Sequence, residues 1–242
     1  MTAILTLEKL SKRFGAVTVA DALDLTLAPG EALGIIGPNG AGKTSLFNMI
    51  AGAIKPNSGR VLFEERDITA LSPAQRCRIG IGRSFQIPQP FSGLTVFENL
   101  CVSGFFGNTR SNIDVTQRCV EVLELTGLLP KANVVAASLS LLERKRLELA
   151  RALAGNPKLL LLDEIAGGLT PHECEELVIA ILKVRETGVA IIWIEHVVHA
   201  LLATIDRLMV LNQGRKLMDG DPKMVMGSRE VREIYLGVEA DA

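Results

Sequence analysis

The chain has 242 residues, 48% hydrophobic and 22% charged, a composition that can bury a substantial core and excludes a largely disordered protein. Basic and acidic residues are interspersed and sum to a formal net charge of -1, so the electrostatics give no reason to expect a nucleic-acid partner. Cys77, Cys101, Cys119 and Cys174 have neither the paired spacing of a zinc site nor the density of a disulfide scaffold, and are read as reduced thiols in cytoplasm.

Residues 1–12 alternate apolar and polar side chains and lack the charged start and long apolar run of a signal peptide. Short alternating stretches continue to Leu27, punctuated by Gly15 and Ala28-Pro29-Gly30, and predict a small antiparallel layer. Ala32 to Ile36 reads as an apolar strand entering a glycine-rich loop, and Lys43 to Ala51 as a helix closed near Gly52. A strand pair is expected over residues 60–68, with its turn at Glu64 to Arg66, followed by a short helix from Ser72-Pro73 through Cys77. Five of the eight phenylalanines, Phe85, Phe91, Phe97, Phe105 and Phe106, fall between Phe85 and Phe106. They are read as core for helices between about residues 95 and 153, with a groove for a partner helix as the alternative. Leu159 to Leu162, Val189 to Ile194 and Leu208 to Leu211 are near-continuous apolar runs, as strands buried on both faces of a parallel sheet require. Asn212-Gln213-Gly214 then predicts a hairpin. No run of about 18 uncharged apolar residues could span a bilayer, so membrane association is expected only through a partner.

Gly37-Pro38-Asn39-Gly40-Ala41-Gly42-Lys43-Thr44 fits G-x-x-x-x-G-K-[ST], in the strand-loop-helix context that this pattern demands. Its glycines let backbone amides curl around phosphate oxygens, Lys43 reaches the outer phosphates, and Thr44 offers a hydroxyl to Mg2+. Ser45 completes the expected nucleotide contacts. The strand Leu159 to Leu162 ends in Asp163 and Glu164, where ligands of open parallel sheets bind. Asp163 is assigned to Mg2+, and Glu164, taken to point the other way along the strand, to the proton of an attacking water. His196 follows the strand Ile191 to Glu195 and is assigned to the γ phosphate; His172 and His199 are read as solvated helical residues. Gln86 is assigned to the metal or the water, with a plain surface glutamine as competitor. Phe14 is read as an adenine platform or an ordinary sheet aromatic. The fold class expected is α/β: a P-loop NTPase core, mostly parallel sheet with flanking helices, plus an N-terminal antiparallel β layer and an inserted helical subdomain. The core is assigned to residues 1–85 and 155–242, and the subdomain to 86–154.

In order and spacing, Phe14, the P-loop, Gln86, Leu139-Ser140, Asp163-Glu164 and His196 resemble an ATP-binding cassette protein over nearly the whole chain. Arg83 to Gln86, Leu94 to Leu100, Arg146 to Leu153, Gly168 to Pro171 and Ile234 to Gly237 are similar to the branched-chain amino acid uptake subfamily, whose members also carry urea, amides or aromatic acids. The resemblance implies ATP and Mg2+, a second ATPase subunit identical or not, permease subunits, and indirectly a periplasmic binding protein. It also implies a place on the cytoplasmic face of a bacterial inner membrane. In that family two cassettes sandwich two ATP molecules, each site joining one P-loop to the other subunit's signature segment, which would bring Ser140 to a nucleotide.

The signature departs from the family pattern of Leu-Ser-Gly-Gly-Gln or Leu-Ser-Tyr-Gly-Gln: here it reads Leu139-Ser140-Leu141-Leu142-Glu143. Leucine crowds a close backbone approach and Glu143 adds negative charge where an anion should dock, while Ser140-x-x-Glu143 is also a capping box. An asymmetric pair follows, in which this chain's own signature serves its partner's site poorly. Thr170 stands where the family usually has Asp. Two other readings are weighed: an ATP clamp that hydrolyses little, and a cassette acting on ribosomes or DNA, the latter disfavoured by the lack of a basic extension or coiled-coil insertion. A small-molecule kinase would leave His196 and the Ser140 segment without a role.

Overall fold

The computed structural model describes residues 2–107 and 114–236, so residues 108–113 of the expected helical insertion and the last six residues, Gly237 included, lie outside the description. Two sheets share the polar-in-turn, apolar-in-strand pattern of the sequence. β1 (Leu5–Phe14) and β2 (Val17–Leu27) form an antiparallel hairpin, and β4 (Ser58–Phe63) and β5 (Arg66–Asp67) extend it in the order β2-β1-β4-β5. β3 (Ala32–Ile36), β6 (Ile81–Arg83), β7 (Leu159–Asp163), β8 (Ala190–Ile194), β9 (Arg207–Asn212) and β10 (Arg215–Gly220) make a second sheet, ordered β10-β9-β3-β8-β7-β6. All pairings in it are parallel except β9 with β10. That last pair turns at Gln213 and Gly214, whose φ values of 48° and 77° are those of a tight hairpin.

Every residue of β3, β7 and β8 is buried. Alternation along the strands then divides them between two cores: Leu160, Leu162, Ile191 and Trp193 join the helical side, while Leu159, Leu161, Ala190, Ile192 and Ile194 face the antiparallel sheet. The antiparallel side also takes α1 (Lys43–Ile50), with α2 (Pro73–Arg78) beside it. On the helical side lie α3 (Val96–Phe106), α4 (Val115–Leu125), α5 (Leu141–Ala154) and α6 (Pro171–Glu186), followed by α7 (Val198–Leu202), α8 (Pro222–Gly227) and α9 (Arg229–Leu236). Four of these helices start in a complete capping box: Ser72 with Gln75, Thr95 with Glu98, Ser140 with Glu143, and Thr170 with Glu173. Each satisfies two backbone donors at a helix start.

The phenylalanine-rich stretch is not core. Phe85, Phe91, Phe105 and Phe106 are exposed, Phe106 by 73%, and Phe97 alone of the five packs partly against the helical core. Val96, Leu100 and Cys119 fill the positions those rings were expected to take. Before Gln86 the chain adds only the three residues of β6 to the sheet, because the ladder ends where the amide of Ser84 meets the Leu161 carbonyl.

Arg76 is buried to 1% exposure, and its guanidinium donates to the carbonyls of Met49 and Ile50 at the end of α1 and to those of Thr69 and Leu71. Burial lowers its pKa to about 10, which leaves it charged at neutral pH. It caps a helix end that would otherwise hold unsatisfied carbonyls. Arg76→Met is expected to cost roughly 3 kcal/mol of stability. A urea midpoint unchanged from that of the unaltered chain would contradict this role.

Candidate functional site

β3 ends at Ile36 and the chain passes through the loop from Gly37 to Gly42 into α1. Gly42, the residue preceding the helix, has φ of 103°, and a Cβ there would lie 2.1 Å from the carbonyl oxygen of Val19 on β2. Only glycine satisfies both conditions. The β9–β10 hairpin pins the loop from the other side: the amide of Gly214 donates to the Ala41 carbonyl at 2.9 Å. Asn39, Gly40 and Thr44 are exposed, Pro38, Gly42 and Ser45 half-buried, and Gly37, Ala41 and Lys43 buried. Lys43 Nζ donates to the carbonyls of Gly37 at 2.7 Å and Pro38 at 3.1 Å. Burial pulls its pKa down, and the carboxylates of Glu164 and Asp163 oppose that shift. The loop lysine and the acidic strand end therefore share one electrostatic environment.

Asp163 is the last residue of β7 and is buried. Its Oδ2 accepts from Arg83 Nη2 at 3.0 Å, while Arg83 Nη1 donates to Asn48 of α1 at 2.7 Å. Desolvation raises its pKa, and the Arg83 guanidinium offsets part of that rise. Glu164 lies just past the strand in the left-handed region, with φ of 46°, and its amide donates to the Ile194 carbonyl at 2.8 Å. Glu164 thus leaves the strand through a backbone turn, and strand alternation does not set its side-chain direction. Glu164 Oε2 accepts from Gln86 Nε2 at 2.5 Å, and Glu164 Oε1 lies 2.9 Å from His196 Nε2. Since a carboxylate only accepts, the imidazole nitrogen is the donor.

Glu195, 1% exposed, organises the turn that carries His196. One of its oxygens accepts from the amides of His196 and Val197, and the other from the amide of Ala166 in the segment after Glu164. Phe14 ends β1 and is half exposed, with Lys12 Nζ 5.0 Å from its ring centroid. Its hairpin continues into the β2 segment that crosses Gly42. His172 and His199 are exposed, as expected of solvated helical residues.

The fold thus brings Lys43, Asp163, Glu164, Gln86 and His196 to the carboxyl edge of the parallel strands. Ser140 is elsewhere: among the described residues its hydrogen bonds go to Glu143 and Arg144 at the start of its own helix. Arg83 and Glu195 were given no role from the sequence. A charged residue directly following an apolar strand was the available signal for Glu195, whereas nothing but the β6–β7 pairing brings Arg83 to Asp163.

The cradle fits a nucleoside triphosphate with a divalent cation. Its glycine backbone leaves no room for a Cβ at Gly42, the lysine points into the loop, and a hydroxyl and a carboxylate stand at its rim. Among the described residues there is no group of three His, Cys, Asp or Glu able to hold a metal ion. Phosphate oxygens would therefore supply part of the coordination, as Mg2+ sites with nucleotides commonly do.

A family model described as ABC transporter matches residues 20–167. The chain belongs to the ABC transporter family. It is 35% identical over 249 residues to the high-affinity branched-chain amino acid transport ATP-binding protein LivG of Escherichia coli (strain K12), covering 97% of this chain and 98% of the relative. It is 33% identical to the corresponding protein BraF of Pseudomonas aeruginosa, over 97% of this chain and 98% of the relative. Among solved structures, the ADP conformation of MJ1267, an ATP-binding cassette of an ABC transporter, superposes with a TM-score of 0.88 at 32% identity, covering 98% of this chain and 100% of that one. The dimeric structure of MJ0796, a bacterial ABC transporter cassette, gives a TM-score of 0.79 at 25% identity over 90% and 98%. No helix among the described residues is long and apolar enough to cross a membrane.

Proposed function

We propose that this cassette binds and hydrolyses ATP to drive uptake of branched-chain amino acids, or a related small polar solute, through partner permeases at the cytoplasmic face of a bacterial inner membrane. The observation that carries the reading is the Glu164 carboxylate, bracketed by Gln86 and His196 and adjacent in sequence to Asp163. Gly37 to Ser45 wrap the triphosphate, Lys43 binds the outer phosphates, and Phe14 stacks on adenine. Thr44, Gln86 and Asp163 would hold Mg2+, which when bound neutralises charge on the phosphate oxygens. Glu164 accepts a proton from water as its oxygen bonds to the γ phosphorus, and the bond from that phosphorus to ADP breaks with the electron pair leaving on ADP. Gln86 and His196 hold the Glu164 oxygens before nucleotide binds, and on binding His196 turns its Nε2–H from Glu164 to the γ phosphate while Gln86 remains on Glu164. An ATP clamp with little hydrolysis finds no support, since Glu164 has both its side-chain partners and the relatives are named as transport proteins.

The partner in the nucleotide sandwich is a second, non-identical ATPase. Leu141 is exposed at the start of α5 and packs toward Gly168, and the Glu143 carboxylate is tied to the Ser140 amide and lies 3.3 Å from Lys131 Nζ. The bond to the Ser140 amide, with Lys131, lowers the Glu143 pKa, so this helix start carries an anion of its own. A partner's γ phosphate would meet that charge. The exposed rings of Phe85 and Phe91, with Ile87 between them, support the groove reading, in which a cytoplasmic permease helix lies against the loop that holds Gln86.

With the assembled transporter, Glu164→Gln is expected to slow turnover about 100-fold or more while ATP still binds, and Lys43→Ala to abolish binding. Full turnover in Glu164→Gln would remove Glu164 from the chemistry. The isolated chain should hydrolyse slowly; brisk hydrolysis by the chain alone, lost on Ser140→Arg, would refute the asymmetric pair. Cysteines placed at Pro90 or Ser92 should cross-link to the permease, and failure to do so in every nucleotide state would refute the groove.

A further inference from the structure

Residues 85–90 make no backbone-to-backbone hydrogen bond among the described residues, yet Gln86 must be held to a fraction of an ångström if it is to orient Glu164. The bonds that replace the ladder come from one face of α5. Lys145 Nζ donates to the Gln86 carbonyl at 2.7 Å and lies 3.5 Å from the Glu164 carbonyl. One turn on stands Glu148, whose pKa the nearby backbone amides of Phe85 and Gln89 pull down against the rise from burial. A further turn on, Arg151 Nη1 donates to the Gln89 carbonyl at 2.9 Å and to Glu148 Oε2 at 3.0 Å, with its guanidinium 5.2 Å from the Phe91 ring centroid. The spacing of three residues places all three side chains along one stripe of the helix.

We propose that Lys145, Glu148 and Arg151 are positioning residues that clasp the Gln86 loop to α5, and that Lys145 is the member that ties Gln86 to Glu164. A buried ammonium is a costly way to fill space, since an apolar side chain of similar volume packs at least as well. Lys145 and Glu148 are each 4% exposed, and burial moves both toward their neutral forms, lowering the lysine pKa and raising that of the glutamate. The carboxylates of Glu195, Glu164 and Glu148 hold the lysine charge in place, and the Arg151 guanidinium does the same for Glu148. The two cations are explained by what they bond, the carbonyls of a loop with no ladder of its own, and Glu148 by its bond from Arg151. Through them α5, which Ser140 caps, sets where Gln86 sits.

The proposal rests on the catalytic reading of Glu164 only for its effect on turnover; the clasp itself is tested by hydrogen exchange. In the full-length chain, Lys145→Met should accelerate exchange of the Phe85 and Gln89 amides about tenfold or more and leave β6 unchanged, and Arg151→Gln, at a less buried position, should accelerate Gln89. Unchanged exchange in both variants would overturn the clasp whatever the enzyme does. In the assembled transporter, Lys145→Met should lower kcat about tenfold with ATP affinity altered less than about twofold, and Lys145→Arg should restore most of the rate. Lys145→Met combined with Gln86→Ala should be no slower than Gln86→Ala alone, whereas additive losses would show that Lys145 does not act through Gln86. A transporter that hydrolyses no ATP before substitution would overturn the catalytic reading and leave the exchange result to decide the clasp.

Discussion

Burial of β3, β7 and β8 on both faces is the constraint from which the rest of the molecule follows. A strand covered on both sides can carry polar groups only at its ends, so Asp163, Glu164 and His196 are driven to the edge where the chain leaves the sheet. The same edge receives the loop after β3, because β3 lies between β8 and β9. Parallel pairing makes all these strands end on one side, and one side is all a nucleotide site needs.

Charge then makes that edge work as one unit. Lys43 and Asp163 are both shifted toward their neutral forms by burial, and each is drawn back by the charge of the other. Arg83 links Asp163 to Asn48 on α1, so the acidic strand end and the helix that starts at the phosphate loop are joined by a side chain. Glu195 performs the same service between the His196 turn and the segment after Glu164, its hydrogen bonds among the described residues coming from backbone amides. Neither arginine nor glutamate need touch nucleotide for this to matter, since a displaced orienting group degrades chemistry that depends on near-attack geometry.

α5 connects these parts to the surface. Its first turn is a capping box that closes on its own carboxylate, its middle face holds the loop of Gln86, and Arg151 reaches the exposed ring of Phe91. A helix is stiff over this length, so a push on the phenylalanine surface and a ligand at Ser140 would act on Gln86 through the same body. The leucines at 141 and 142 stand in the first turn of α5, and the clasp is made further along the helix by Lys145, Glu148 and Arg151.

The main apolar strands of the parallel sheet, the phosphate loop and the identities of Asp163, Glu164 and His196 were legible in the amino-acid order, since each depends on local periodicity or on a motif whose parts are near neighbours. The phenylalanine cluster was misread for the converse reason: composition tells how apolar a segment is, but not that Val96, Leu100 and Cys119 already fill the space inside. The left-handed turn at Glu164, just past the end of β7, was likewise not legible from a strand rule. What the sequence determined by itself was which chemistry is available and at which strand ends it emerges. Only the tertiary structure decided that Arg83, Glu195 and Lys145 serve it, because their partners lie 80, 29 and 59 residues away and meet them through sheet pairing and helix packing that no local pattern encodes.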